Sequence, residues 1–297
     1  MKRSLIVLWI LGVGSLSMFP LPKSPPAKGS VETTHLTVVD STGKLSSEAL
    51  SRLAKQTQET MDRVLAFWSA DAGIARFGKI KLVLDKPRRD VYSCVFFWEN
   101  QGGARRRVVQ VFGTEGSPQM LAHKLTSAVF PNPDKLIRNI MGTLAEEHVG
   151  NPLTFPSCGL SSDDWVVALL RSNAYIPMSR LGPDHESWGM GDSGGGKLVI
   201  HDKDRQHRAY AEAGSFGSYL YKMYGMNKIK QLHRQSFQKE RPWLEVFGLG
   251  MDELEKRWLA AIQETAHAES VSLILKLRDG RTESPCAEAQ RRSPRRP

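Results

Sequence analysis

The chain has 297 residues, of which 40% are hydrophobic and 24% are charged, the proportions of an ordinary globular protein. Its formal net charge is +10, but residues 1–30 hold four basic and no acidic side chains, and residues 281–297 hold five arginines and two glutamates. The remaining +3 is spread over residues 31–280, and this near-neutral body argues against nucleic acid as the partner.

The N-terminus has the pattern of a targeting segment. Lys2 and Arg3 precede an apolar run from Leu5 to about Leu21, which is a positive n-region followed by a hydrophobic h-region. The run is at the short limit for a spanning helix. We therefore predict a signal peptide or an uncleaved membrane anchor, with a Pro-rich linker to residue 30. Residues 31–297 would then be secreted, periplasmic or held at the outer face of the membrane.

The next part of the chain predicts strands and one long helix. Apolar and polar residues alternate in the strand segments, and an approximate apolar stripe runs along the helix. Gly102-Gly103 indicates a hairpin between the last two strands. Arg105-Arg106-Arg107 beside it is expected to be a solvated turn or strand edge. The predicted strands cover 35–39, 79–84, 91–98 and 107–112, and the helix covers 46–72.

The rest of the chain is predicted to be mainly helical. Gly116-Ser117-Pro118 is expected to open the first of these helices, with Ser117 as N-cap. Further helices are predicted over 133–149, 161–172, 204–224, 227–238 and 251–268, a loop-rich segment over 175–196, and short strands over 197–201 and 271–277. A small sheet followed by helices is an α+β arrangement. We predict one domain over 31–280 and a disordered basic tail over 281–297.

Cysteines are few and do not form a disulfide scaffold. The three are Cys94, Cys158 and Cys286. One bridge is compatible with an oxidising compartment, and Cys94–Cys158 is the only pair that lies within residues 31–280. Three separate thiols are equally compatible with the sequence.

The helix around residue 123 carries part of a metal-binding motif. In H-E-x-x-H, two imidazoles lie one helical turn apart on one face, and the glutamate serves as general base. Here His123 occupies the first position, whereas Lys124 replaces the glutamate and Ser127 replaces the second histidine. A hydroxyl is a poor zinc ligand, and an ammonium neither takes a proton from metal-bound water nor tolerates a nearby cation.

The segment from Met120 to Phe130 resembles the L-A-H-E-L-x-H-A motif of the gluzincin zinc peptidases, also called peptidase MA-like. Tyr210–Phe216 is similar to the helix that this family places after its site, and Met251–Trp258 resembles the family's closing helix. The resemblance covers roughly residues 35–265. It implies a small twisted sheet that covers the motif helix, followed by a mainly helical lobe that closes a cleft.

The resemblance implies a functional role only for those residues that match the family's motif. His123 matches the first zinc ligand, but the third ligand is open. Met141 stands at one family position for a glutamate, and Glu146, nineteen residues after Ser127, fits another spacing. Glu147 and His148 follow Glu146 directly.

Two hypotheses follow. In the first, the chain is an extracytoplasmic, non-catalytic pseudopeptidase without a metal cofactor, whose cleft binds a peptide, protein or cell-envelope partner. His123 is then a partly buried helix residue that is hydrogen-bonded to a neighbour, and the ammonium of Lys124 contacts a carboxylate such as Glu146. The alternative is an atypical metal-dependent hydrolase that holds zinc with His123 and with Glu146, Glu147 or His148.

Two other patterns are weaker. Gly191–Gly195 repeats the string around the nucleophile of chymotrypsin-like proteases, but helices flank it and that family's His motif is missing, so a glycine-rich loop is predicted. One loop contains several charged or titratable residues, which are interpreted as turn formers and solvated charge, with a site for a metal or polar ligand as the alternative. They are Asp184, His185, Glu186 and Asp192.

Four tryptophans are predicted to pack in the core or the cleft. They are Trp165, Trp188, Trp243 and Trp258.

Overall fold

A computed structural model describes residues 29–88, 94–113, 120–192 and 198–279. A five-stranded mixed sheet near the N-terminus is followed by a mainly helical region, which confirms the predicted α+β order. The predicted targeting segment and the basic tail lie outside the described residues. Within the described ranges, no helix has both the length and the apolar character that a bilayer crossing requires.

The sheet has the strand order β1-β2-β3-β5-β4. Its two central pairings, β2 with β3 and β3 with β5, are parallel, and the two outer pairings are antiparallel. The predicted hairpin is confirmed, since Gln101 pairs with Ala104 across Gly102 and Gly103, both of which have positive φ. The bounds are β1 Ser30–Glu32, β2 Leu36–Asp40, β3 Ile80–Asp85, β4 Cys94–Gln101 and β5 Ala104–Phe112.

Two of the described helices come between β2 and β3 in the chain, and the others follow the sheet. Two short strands, β6 Met190–Asp192 and β7 Leu198–Ile200, form a separate antiparallel pair in the loop-rich segment. The helices are α1 Ser47–Trp68, α2 Ile74–Phe77, α3 Leu121–Val129, α4 Lys135–Val149, α5 Ser162–Arg171, α6 Lys203–Gln235, α7 Trp243–Phe247, α8 Met251–Thr265 and α9 Ala268–Asp279. The break predicted at Gly225 is present inside α6, where that residue leaves helical geometry with φ 78°.

Side-chain caps determine where several helices begin. Ser46 accepts from the amide of Ala49 at the start of α1, and Asp134 accepts from two amides at the start of α4. The motif helix begins later than predicted: α3 starts at Leu121 after Met120, and no side chain caps it. The predicted opening at residues 116–118 lies outside the described residues.

The core lies between the sheet and the first helices and continues into the helical region. From the sheet come Val38, Leu82 and Val109, and from α1 come Met61 and Trp68, all of them fully buried. Behind this layer, α4 packs between α3 and the first half of α6. The predicted core role of Trp165, Trp188, Trp243 and Trp258 is confirmed, because each is at most 4% exposed.

The prediction of a final strand over 271–277 is wrong. That segment belongs to α9, and its two fully buried residues, Val271 and Ile274, are three positions apart. This spacing places both on one helical face, against α5. A helix also satisfies its own backbone hydrogen bonds, whereas a strand needs a neighbouring strand.

The interpretation of the arginine cluster is wrong for Arg107. Arg105 is exposed as expected, but Arg107 is only 1% exposed. Its guanidinium donates to the carbonyl oxygens of Ala128 (3.2 Å) and Gly78 (2.8 Å). Because successive residues of a strand face opposite sides of the sheet, the side chain of Arg107 lies on the buried side. There it connects β5 to the end of α3.

The cysteine pairing considered from the sequence is not formed. Cys94 is a buried thiol that is not part of a disulfide bond, whereas Cys158 is disulfide-bonded. The other half of that bond lies outside the described residues.

The burial pattern of α9 gives a stability prediction. Ile274→Ala removes a fully buried side chain and is expected to lower the free energy of unfolding by about 2–5 kcal/mol. Leu273→Ala, at a half-buried position, is expected to cost less than half as much. Urea denaturation of both variants measures the difference. Equal losses, or a larger loss at Leu273, would favour the strand geometry instead.

Candidate functional site

The motif helix α3 is buried on most of its surface. It packs against α4 and α1, and the indole N–H of Trp68 donates to the hydroxyl of Thr126 over 3.2 Å. His123 is 0% exposed, whereas Lys124, one position later, is half-buried. Because successive helix residues point about 100° apart, the two side chains face different surroundings.

The imidazole of His123 is enclosed by three residues. Its Nε2 donates to Asn139 Oδ1 at 3.1 Å. The ring of Tyr210 stacks over it with 5.7 Å between centroids. On α4, Gly142 lies so close that a Cβ there would be 2.5 Å from the ring. His123 is hydrogen-bonded to a neighbour as expected, but it is fully buried and not partly buried, because α4 and α6 cover its ring.

The electrostatic surroundings keep this imidazole neutral. Burial is the largest cause that lowers the pKa of His123 well below 6.5, and the charge of Lys124 adds to it. The hydrogen bond to Asn139 acts in the opposite direction but is outweighed. The other ring nitrogen, Nδ1, is buried and has no hydrogen-bond partner.

Glu146 joins α3 to the end of α4 through backbone amides. One carboxylate oxygen accepts from the amide of His123 over 2.8 Å, and the other accepts from the amide of Asn151 over 2.9 Å. Burial raises the pKa of Glu146 to about 7, although these hydrogen bonds pull it down. The carboxylate therefore faces the backbone of His123 and not its ring. The expected contact between Glu146 and the ammonium of Lys124 is not formed.

Glu147 and His148 are engaged elsewhere. The carboxylate of Glu147 accepts from the hydroxyl of Ser218 over 2.6 Å. The ring of His148 stacks on Phe67 with 5.1 Å between centroids and meets Tyr221 edge-on at 5.2 Å. Both side chains thus point toward α6 and α1.

The residues present do not fit a zinc centre. A catalytic zinc needs three protein donors with a free position. His123 has a free lone pair on Nδ1, but Glu146, Glu147 and His148 are directed to other partners. Ser127 donates its hydroxyl to the carbonyl of His123 over 3.1 Å. Among the described residues, no group of three His, Cys, Asp or Glu side chains could hold a metal ion.

A cleft of about 1170 Å³ lies beside this buried cluster. Its walls come from the edge strand β4, from α3 and α4, and from the first half of α6. Of the degenerate motif, Lys124 and Ser127 line the cleft, but His123 does not. The residues that line the cleft include Phe97, Lys124, Lys135, Arg138, His185 and Tyr210.

Cations dominate one end of the cleft. The Nζ atoms of Lys124 and Lys135 lie 5.6 and 5.3 Å from the centre of the Tyr210 ring. The pKa of Lys135 is lowered to about 8, mainly by burial and partly by the charges of Arg138 and Lys124, while Tyr210 acts in the opposite direction. For Tyr210, burial raises the pKa, but the three cations outweigh it and bring it to about 7.

His185 is the one residue of the loop pattern that belongs to the cleft lining. Burial lowers its pKa to about 4, and Lys135, Arg138 and Lys124 add to the effect. Asp184 instead accepts from the amide of Ser187, as a turn former does. Glu186 lies 3.4 Å from His201 at an exposed position. The serine and glycines at 193–195 lie outside the described residues, as does the side chain of Asp192.

Comparison with known proteins finds no family model, no characterised sequence and no solved structure that matches this chain.

The sequence analysis missed most of the residues that shape this site. Lys135 and Arg138 are three positions apart at the start of α4, and so share a face. A basic residue in the first turn of a helix is unfavourable, and this local signal points to Lys135. Asn139 and Tyr210 carried no comparable signal, because their roles depend on helices distant in sequence.

The packing of Gly142 against His123 gives a second prediction. In an open helix, Gly→Ala stabilises by about 1 kcal/mol. Here Gly142→Ala pushes the imidazole away from Asn139 and leaves buried polar groups unpaired, so we expect a net loss of about 2 kcal/mol.

Gly214→Ala is the matched control, because this position is also inside a helix and its new Cβ would lie 3.2 Å from the Ser162 hydroxyl and 3.5 Å from the side chain of Thr143, with no contact below 3.0 Å. Chemical denaturation should find the control within about 1 kcal/mol of wild type. A stabilised Gly142→Ala variant would contradict the enclosed position of His123.

Proposed function

We propose that this chain is an extracytoplasmic binding protein with a gluzincin-like architecture and no peptidase chemistry. Its cleft receives a peptide segment of a protein or cell-envelope partner. The observation that carries the proposal is the placement of the motif residues. The imidazole of His123 is enclosed by Asn139, Gly142 and Tyr210 and does not line the cleft. The motif residues that line it are Lys124, with an ammonium group, and Ser127, with a hydroxyl group.

The edge of the sheet supports a peptide as the occupant. β4 is the last strand in the sheet order, and residues 94–98 line the cleft. An edge strand offers a row of backbone donors and acceptors to an added extended segment. Phe97, 39% exposed, and Phe237, 57% exposed, line the same cleft and supply apolar surface for side chains. The near-neutral body does not favour nucleic acid as the partner.

Two features support a location outside the cytoplasm. The N-terminal pattern of two cations and an apolar run is typical of a secretory signal or an anchor. Cys158 is disulfide-bonded, and such bonds persist in oxidising compartments.

The alternative, a metal-dependent hydrolase, requires a rearrangement of the end of α4. The buried lone pair on His123 Nδ1 is the observation that keeps it as a second candidate. Glu146 would have to release the amides of His123 and Asn151 before its carboxylate could join that nitrogen. The loss of these hydrogen bonds at a buried position opposes such a change.

Metal content separates the two candidates. We expect the purified full chain to contain much less than one zinc ion per molecule, and its melting temperature to be unchanged by a chelator. Elemental analysis and a thermal melt with and without chelator measure both. One zinc per chain, lost in a His123→Ala variant that still folds, would establish the hydrolase alternative.

Peptide binding tests the proposed cleft directly. We expect the full chain to select peptides from a random displayed library and to leave them intact, as shown by mass spectrometry. Phe97→Ser removes apolar surface inside the cleft and should weaken binding about tenfold. Leu244→Ser, at a residue 62% exposed outside the cleft lining, is the matched control and should leave the affinity unchanged. Selection of no peptide, or cleavage of those selected, would contradict the proposal.

A further inference from the structure

Three cationic side chains converge at one end of the cleft. Lys124 comes from α3, and Lys135 and Arg138 come from α4. Both ammonium groups lie within 5.6 Å of the centre of the Tyr210 ring, and that of Lys135 also lies 5.2 Å from the ring of Trp188. Lys135 is only 2% exposed, so its charge is almost fully removed from water.

No carboxylate balances these charges within the described part of the chain. No Asp or Glu oxygen lies within 4.0 Å of a charged nitrogen of Lys124, Lys135 or Arg138 there. Asp134, their neighbour in sequence, pairs instead with Arg241 at 3.1 Å and caps α4. Arg138 donates to the carbonyl of Asn132 over 2.8 Å, a neutral partner. Tyr210, whose pKa these cations lower to about 7, and Asp134, which forms no ion pair with them, offset only part of this positive charge. A buried cluster of like charges destabilises a folded protein, so this arrangement needs a reason other than stability.

The helix geometry makes the arrangement more unfavourable still. Lys135 is the first residue of α4, and Lys124 lies at the end of the first turn of α3. The amino end of a helix carries a partial positive charge and favours acidic side chains. Neither helix has an acidic residue in its first turn. The start of α4 is capped by the carboxylate of Asp134, but the uncapped start of α3 and the three cations place positive potential at one end of the cleft, an arrangement that attracts an anion.

We propose that Lys124, Lys135, Arg138 and the hydroxyl of Tyr210 form a subsite for a carboxylate group of the bound peptide. This inference rests on the proposed function. A carboxylate is the anion that every peptide can supply, from its C-terminus or from an acidic side chain. The apolar walls and the edge strand of the same cleft suit the rest of a peptide chain. Lysine and arginine donate charge-assisted hydrogen bonds to a carboxylate, and these bonds are stronger than those to neutral acceptors.

The test compares peptides with and without their carboxylates. Peptides selected by the full chain are synthesised as free acids, as C-terminal amides, and with each acidic side chain replaced by its amide. We expect one of these replacements to weaken binding about tenfold or more, measured by titration calorimetry. The position of the sensitive carboxylate identifies whether the C-terminus or a side chain is bound.

Substitution of Lys135 distinguishes a binding role from a structural role, because the two roles predict opposite changes in melting temperature. Lys135→Met keeps the length of the side chain but removes the unpaired charge. We expect the ligand-free variant to melt at a higher temperature than wild type and to lose its preference for the free acid over the amide. Lys124→Met, at a less buried position, is expected to show the same loss of preference and serves if the first variant does not fold.

Lys230→Met is the matched control. The ammonium of Lys230 donates to the carbonyl of Trp68 over 2.6 Å, outside the cleft lining, and so has a structural role. This variant should melt at a lower temperature and keep the preference for the free acid.

The outcomes separate this inference from the function on which it rests. Equal binding of acids and amides overturns the carboxylate subsite but leaves a peptide-binding cleft. A Lys135→Met variant that melts lower and keeps the wild-type preference also overturns the subsite. Inorganic phosphate that raises the melting temperature where acetate at equal ionic strength does not would assign the cations to phosphate instead. If no peptide binds, both proposals fail.

Discussion

The contact between α3 and α4 depends on one buried carboxylate. Glu146 accepts the amide hydrogen of His123 with one oxygen and that of Asn151 with the other, so it joins the start of the motif helix to the end of its neighbour. Asn139, two turns earlier on α4, holds the imidazole ring of the same histidine. One helix face therefore fixes both the backbone and the side chain of His123. Removal of the carboxylate would leave buried amides without acceptors, which is why this contact constrains the site.

This constraint determines which chemistry the cleft can present. With the imidazole held against Gly142 and Tyr210, the side of α3 that reaches the cleft carries Lys124 and Ser127. The charge there is positive without any metal, and Lys135 and Arg138 increase it. A hydrolytic zinc site needs neutral or anionic donors around a cation, whereas the side chains that line this end of the cleft are cationic.

Stability and function oppose each other at this end of the cleft. Elsewhere the described structure follows ordinary rules: Asp134 caps α4, Arg107 donates to two carbonyl oxygens, and Trp68 reaches a threonine hydroxyl. Only at the cleft do buried cations cluster without acids. Such departures from local rules are typical of functional surfaces, where a ligand completes what the protein leaves unsatisfied. This contrast is the reason to assign a ligand to the cleft and not a purely structural role.

The sequence by itself determined the α+β order, the hairpin at Gly102-Gly103 and the helix starts at Ser46 and Ser161, because turns and caps involve residues that are neighbours in the chain. It also identified His123 as the residue to examine. Only the tertiary structure decided that α9 is a helix, that Arg107 is buried, and that Lys124 meets Lys135 and Arg138 around Tyr210. Those outcomes depend on which surfaces pack together across long stretches of chain, and local propensity does not encode such contacts.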